Sequence, residues 1–297
     1  MYYKDVYQNI NEPWTWPNSA VVPGGLLMSE CAVAAQHTVT DGFVLDSLQA
    51  HFLGGPSPKK PMQFKVTRLS NGKRFAVRGV AIEQDGKVML TATIQFVSSS
   101  PWNGPAMTYS VARQTNHMVP RITLDDLEVG RHRLGPFMKV QRLPLTYKSK
   151  EPSPSPVSGV TASVAQITPP ITEPAGGSIH ILGIINISDY HVMDAPMQLS
   201  GITFGMWAVN DYSRKPTPQM HKIGTTLNHT IHFHTQHGFR ADELTYTEDE
   251  TSWAKDGRAM ISTKIFSQGG KLIATCVQEA FYVLKEGAQS TKSGTKL

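Results

Sequence analysis

A pattern repeated within the chain limits its fold more than any other feature. Arg74 to Thr91, ending DGKVMLT, aligns with Arg258 to Thr275, ending GGKLIAT, at an offset of 184 residues. Ahead of it, SLQAHF (47–52) aligns with NHTIHF (228–233) at an offset of 181. The difference of three residues falls in turns between strands, where insertions are tolerated. Such a chain reads as two copies of one unit, each a buried helix wrapped by an antiparallel sheet.

The local signals agree with that unit. PGGLLMSECAVAAQH (23–37) is entered through glycines and carries Leu26, Leu27, Cys31, Ala34 and Ala35 on a helical stripe. Strands are expected over Phe43–Leu53, Met62–Ser70, Arg74–Gln84 and Lys87–Ser98, with Asn71-Gly72 and Asp85-Gly86 as hairpin turns. A further strand is expected over Phe137–Leu145. The composition then changes: residues 147–178 are rich in Pro, Ser and Thr and read as a linker. Beyond it we expect a strand over Ile179–Ile187, a helix over Pro196–Tyr212, and strands over Gly224–His234, Leu244–Glu250, Arg258–Phe266 and Lys271–Val283. The division is therefore an N-terminal arm with a first unit over 1–146, the linker over 147–178, and a second unit with a C-terminal tail over 179–297.

Composition excludes several classes. Of 297 residues, 40% are hydrophobic and 17% charged, which suits a globular chain. The net charge of +5 comes without any Lys/Arg block, so no nucleic-acid partner is expected. No run of 18 apolar residues exists, so no membrane span is expected, and the N-terminus lacks the apolar core of a signal peptide. Cys31 and Cys276 sit in apolar surroundings and read as reduced core residues.

The stretch GTTLNHTIHFHTQHGFR (224–240) is apolar enough for a buried strand, yet it crowds Asn228, His229, His232, His234 and His237 together. Strict alternation would put Asn228, Thr230, His232 and His234 on one face, with His229, Ile231 and Phe233 on the other. A polar face on a core strand needs partners or a ligand. No carboxylate or cysteine completes a set at ligand spacing around His232, His234 and His237, so no metal is expected. His232, an imidazole on the face of Asn228, is a candidate base. Gln278, amid apolar strand residues, is a buried amide that calls for an explanation.

The words GGLLMSECAVAAQHTV (24–39), GFVLDSLQAHFLGG (42–55), VTRLSNGKRFAVRGVAIEQDGKVMLTATIQF (66–96), PFMKVQRLPL (136–145), TLNHTIHFH (226–234), FRADEL (239–244), ETSWAKDGRA (250–259) and GGKLIATCVQEAF (269–281), in this order, resemble the acyl-CoA thioesterase II family. The resemblance implies a double hotdog fold of the α+β class: two tandem units, each an antiparallel sheet around a central helix. It also implies hydrolysis of an acyl thioester without a covalent intermediate, by a water ordered by an Asp, a Thr or Ser, and a Gln. No cofactor is implied, coenzyme A entering as part of the substrate.

Carried onto this chain, the Gln is Gln278, and the hydroxyl is Thr251 with Ser252 beside it. Gly24 and Gly25 open the first helix, where backbone N–H groups can hold an oxyanion or a ligand. The Asp of the family's L-D-H word is matched here by Asn228, which orients a water but takes no proton from it. Asp46, before Ser47 in the first half, stands where the family has His. Asp211, at the end of the second expected helix, also matches a family Asp. The expected function is thus an acyl-CoA thioesterase-like hydrolase. Two alternatives stand beside it: a non-hydrolytic reaction such as dehydration, isomerisation or cyclisation in the same pocket, and a non-catalytic acyl-binding protein. A homo-oligomer is an open expectation, because hotdog sheet edges often pair. The ending Thr295-Lys296-Leu297 is similar to a peroxisomal address, so peroxisome and cytoplasm are the expected compartments.

Overall fold

The computed structural model describes residues 5–16, 19–113, 132–134, 137–142, 160–190, 192–200, 221–286 and 288. Its strands are β1 (Asp5–Gln8), β2 (Phe43–Phe52), β3 (Gln63–Asn71), β4 (Phe75–Gln84), β5 (Lys87–Ser98), β6 (His132–Leu134), β7 (Met138–Arg142), β8 (Val160–Ile167), β9 (His221–Phe233), β10 (Thr245–Lys255), β11 (Arg258–Phe266) and β12 (Leu272–Leu284). Its helices are α1 (Gly24–Gln36), α2 (Ser178–Asp189) and α3 (Asp194–Leu199). All strand pairs are antiparallel, in one sheet of order β1-β3-β4-β5-β2-β9-β12-β11-β10-β8-β7-β6. The two halves join at β2 and β9, and α1 packs on α2 in a shared apolar core against the strands. This is the double hotdog that the family resemblance implied.

The register shows how closely the halves correspond. Ser47 pairs with His232, Gln49 with Thr230, and His51 with Asn228. At the offset of 181, Ser47 is the counterpart of Asn228, His51 of His232, and Gln49 of Thr230. The joint is therefore isologous, as across a two-fold axis, and the axis runs through the Gln49–Thr230 pair. The same offset relates two β-bulges, one at Asp46 in β2 and one at Leu227 in β9. An extra residue in a bulge goes unpaired and shifts which side chains face inward.

The constant offset of 184 needs one amendment. It holds for β5 on β12, whereas β4 lies on β11 at 183: Ala81 pairs with Thr91, and Lys264 with Thr275. The extra residue is in the second hairpin. The first turn, Asp85-Gly86, has φ of 52° and 73°, the type I′ geometry that matches strand twist.

Three expectations are corrected. The strand expected over Ile179–Ile187 is the helix α2. Its residues His180, Ile181 and Gly183 to Ser188 are all buried, so the segment is apolar all round and carries no 3.6-residue stripe to read. The linker over 147–178 contains β8, which pairs with β7 and β10. Its Ala, Ser and Thr residues lower the mean hydropathy, although Thr161 to Ala165 are buried. The strand placed in the first unit, β7, consequently belongs to the second half of the sheet, so the boundary at 146/147 does not separate the two sets of strands. Of the helix expected over Pro196–Tyr212, residues Pro196–Leu199 are helical, as the end of α3, which begins at Asp194. Residues 201–220, with Asp211, and the ending Thr295-Lys296-Leu297 lie outside the described residues.

Cys31 and Cys276 are free and buried. No helix among the described residues is long and apolar enough to cross a membrane.

Candidate active site

The Leu227 bulge decides what the histidine-rich strand offers the interior. Without it, Thr226 and His229 would point to opposite sides; with it, both are buried, three residues apart, on the face that carries Ile231 and Phe233. The polar face of Asn228, Thr230, His232 and His234 is the outer one. Asn228 is half-buried and donates from Nδ2 to Glu279 Oε2 at 2.9 Å, and Glu279 also receives Arg258. His232 is exposed. Neither takes part in the inner site.

Gln278 does. Fully buried in β12 and paired in register with His229, it turns its amide toward the end of α2. Its Nε2 donates to Asp189 Oδ1 at 3.4 Å and to Thr226 Oγ1. The last residue of α2, Asp189, also accepts the Gly25 N–H at 2.8 Å on Oδ2. Gly25 lies in the first turn of α1, which has no side-chain cap at Pro23, so the carboxylate sits at a positive helix end. A Cβ on Gly25 would stand 3.2 Å from Asn186 Cα and from Asp189 Cβ. A Cβ on Gly24 would stand 3.1 Å from Asp189 Oδ2. Glycine at both positions lets α1 and α2 approach closely enough for this contact.

The environment sets the charges. Burial pushes the Asp189 carboxyl up to about 6, against the pull of the Gly25 and Gln278 hydrogen bonds. Its carboxylate is therefore ionised at neutral pH yet basic enough to accept a proton. His229 is fully buried, and desolvation pushes it down to about 4, only partly opposed by the neighbouring Gln278 side chain. It is a neutral imidazole at neutral pH. Its Nε2 lies 3.1 Å from Ser188 Oγ, and its Nδ1 lies 3.9 Å from Asp189 Oδ1.

The other expected residues lie apart. Thr251 has a buried Oγ1 without a hydrogen-bond partner, and Ser252 is exposed at the bulge of β10. Neither is bonded to Gln278. Asp46 accepts Gln95 Nε2 at 2.7 Å in the first half. Among the described residues no group of three His, Cys, Asp or Glu is placed to hold a metal.

The sequence reading missed Asp189, Thr226 and His229. One signal was available for Asp189: in the first half a helix precedes β2, so the repeat requires a helix before β9, and SIHILGIINISD fills that place. His229 shares the buried face of Ile231 and Phe233 by simple alternation, whereas Thr226 needed the bulge at Leu227.

Comparisons with known proteins agree with the fold. Residues 12–97 match the acyl-CoA thioesterase N-terminal domain, and residues 140–282 match the acyl-CoA thioesterase C-terminal domain. The chain is 24% identical over 301 residues to acyl-coenzyme A thioesterase 8 of Homo sapiens, covering 93% of this chain and 85% of that protein. A shorter stretch of 73 residues, 25% of this chain and 21% of the relative, is 34% identical to peroxisomal acyl-coenzyme A thioester hydrolase 1 of Saccharomyces cerevisiae. Among solved structures, the acyl-CoA thioesterase II TesB2 of Mycobacterium marinum superimposes with a TM-score of 0.65 at 22% identity, covering 96% of this chain and 94% of that one.

Proposed function

We propose, from the premise that this chain belongs to the acyl-CoA thioesterase family, that its Asp189, Gln278 and Thr226 order a water for attack on an acyl-CoA thioester. The chain is a thioesterase-like hydrolase. The observation that carries the residue assignment is the single Gln278 amide bridging Asp189 Oδ1 and Thr226 Oγ1, with the Gly25 N–H on the other Asp189 oxygen.

In this mechanism Asp189 takes a proton from the water as its oxygen bonds to the carbonyl carbon. Backbone N–H groups in the first turn of α1, apart from that of Gly25, which Asp189 accepts, stabilise the oxyanion. Collapse of the tetrahedral intermediate breaks the C–S bond, and the proton on Asp189 passes to the departing thiolate. The products are a free acid and coenzyme A. The Gln278 hydrogen bond keeps the Asp189 carboxylate aimed, and Thr226 keeps the amide aimed. The non-hydrolytic and non-catalytic alternatives rested on Asn228 as a missing base. A carboxylate at Asp189 removes their motive, because Asn228 then has only its outer-face contact with Glu279.

The test is thiol release from short, medium and long acyl-CoAs by wild type, Asp189→Asn and Asn228→Ala. General-base assistance is worth about 10²–10⁴-fold, so Asp189→Asn should lose that much in kcat while Asn228→Ala stays within about threefold. Wild-type rates in Asp189→Asn, or silence in a folded Asn228→Ala, would overturn the assignment. For the compartment we propose the peroxisome, supported by the stretch similar to a yeast protein named as peroxisomal. Diffuse cytoplasmic signal from the full chain carrying an N-terminal fluorescent tag would refute it.

A further inference from the structure

His229 is the buried group that this mechanism leaves unused, and three observations give it a part. The first is its tautomer. Ser188 Oγ has one hydrogen and a nearer acceptor in Ile185 O at 2.8 Å, which assigns its 3.1 Å contact with His229 Nε2 to an N–H donated by the ring. Nδ1 is therefore an acceptor. The second is that Nδ1 is buried and no protein atom meets hydrogen-bond geometry there. Facing it at 3.9 Å is Asp189 Oδ1, another acceptor. Two acceptors at that separation share no proton directly. They subtend about 90° at an oxygen placed ~2.8 Å from each, close to the angle between the two O–H bonds of a water molecule.

The third observation comes from the internal symmetry. The offsets carry Leu48 onto His229 and Ile94 onto Gln278, and both pairs are in register: Leu48 with Ile94, His229 with Gln278. Leu45, the counterpart of Thr226, is apolar as well. The first half thus builds the same position from buried apolar side chains. The fold has no need of an imidazole there, and burying one with an unfilled acceptor is costly.

We propose that His229 Nδ1 is the second acceptor for the attacking water, which donates one hydrogen to it and the other to Asp189 Oδ1. Held by both hydrogens, the water presents its lone pairs away from the two acceptors and toward the acyl carbon. Asp189 alone takes the proton; His229 fixes the direction of attack. This inference rests on the reading of Asp189 as base.

The experiment compares His229→Leu, His229→Asn and Asp189→Asn by thiol release, with KM and kcat separated and thermal unfolding measured alongside. Leucine is the residue that the first half uses at this position, so His229→Leu should fold with a Tm close to wild type. Its kcat should fall about 10- to 100-fold, the worth of one hydrogen bond to the reacting group, with KM within about threefold. Asparagine keeps an acceptor near the place of Nδ1, and His229→Asn should recover most of that loss. Wild-type kcat in His229→Leu overturns the proposal, as does a loss in His229→Asn as large as that in His229→Leu. If Asp189→Asn is dead while His229→Leu is fully active, only this inference fails. If Asp189→Asn is active, the reading beneath it fails.

Discussion

Replacing Gln278 by isoleucine separates the chemistry of the site from its packing. Ile94 already fills the corresponding position of the first half, fully buried and paired with Leu48, so the shape is one that this sheet accepts. The change also deletes Gln278 Oε1, a buried acceptor without a partner, whose burial costs on the order of 1–3 kcal/mol. The loss of the Nε2 donor to Asp189 and Thr226 offsets this gain, so stability should change little. Catalysis should fall, because the amide that joins Asp189 to Thr226 is gone.

A hydrogen bond to a charged group is worth about 1.5–3 kcal/mol. At 3.4 Å the Gln278–Asp189 contact belongs at the lower end, about a tenfold loss in kcat. The same bond holds the Asp189 pKa down, so its loss raises it. Asp189 must be ionised to act as base, and wild-type activity should rise with pH through a midpoint near 6. In Gln278→Ile that midpoint should move up toward about 7, since 1.36 kcal/mol corresponds to one pH unit. The assay is thiol release between pH 5 and 8.5, with unfolding followed by calorimetry. An unmoved midpoint with undiminished kcat would refute the role of the amide. Collapse of the Tm would refute the use of the first half as a guide to packing.

Two further substitutions probe what supports the site. In Gly25→Ala the new methyl meets Asn186 Cα and Asp189 Cβ at 3.2 Å, which pushes α1 and α2 apart. Overpacking of this kind costs about 1–3 kcal/mol, and the kcat of the folded enzyme should fall with the loss of the Gly25–Asp189 contact; an active, equally stable variant would count against the helix contact as part of the site. Arg78→Met acts at the opposite end of α1, about 20 Å away by helix rise. The buried Arg78 guanidinium donates to Thr38 Oγ1, Thr38 O, Ser70 O, Val77 O and Asn71 Oδ1, bracing the helix C-terminus through neutral acceptors. Losing it should cost about 2–4 kcal/mol in chemical denaturation while kcat per folded molecule stays unchanged; equal stability would show that the acceptors find other partners.

Much of this protein is legible without coordinates. The repeat at offsets of 181 and 184 implies two units, and the apolar periodicities and Asp-Gly turns place α1 and most of the strands close to where they lie. Gln278 stands out because an amide is rare in so apolar a strand. The rest fails for identifiable reasons. The helix α2 is buried on every side, so no stripe marks it, and β-branched Ile179, Ile181, Ile184, Ile185 and Ile187 imitate a strand. The linker composition masks β8. The alternation from Asn228 to His234 holds, but the word around Asn228 drew attention to the polar face, which is the outer one, and Thr226 lies beyond the Leu227 bulge.

The sequence alone determined two related units, each a helix with antiparallel strands, since patterning and turn chemistry act within a few residues of each other. Only the tertiary structure decided which polar groups meet. Gly25 and Asp189 are 164 residues apart, and Gln278 and Asp189 are 89 apart. Their encounter depends on the crossing of α1 and α2 and on one extra residue in β9, which turns Thr226 to the inward face that His229 already shares with Ile231 and Phe233. A bulge reverses the facing of a strand at the cost of a single residue, and no local propensity records it.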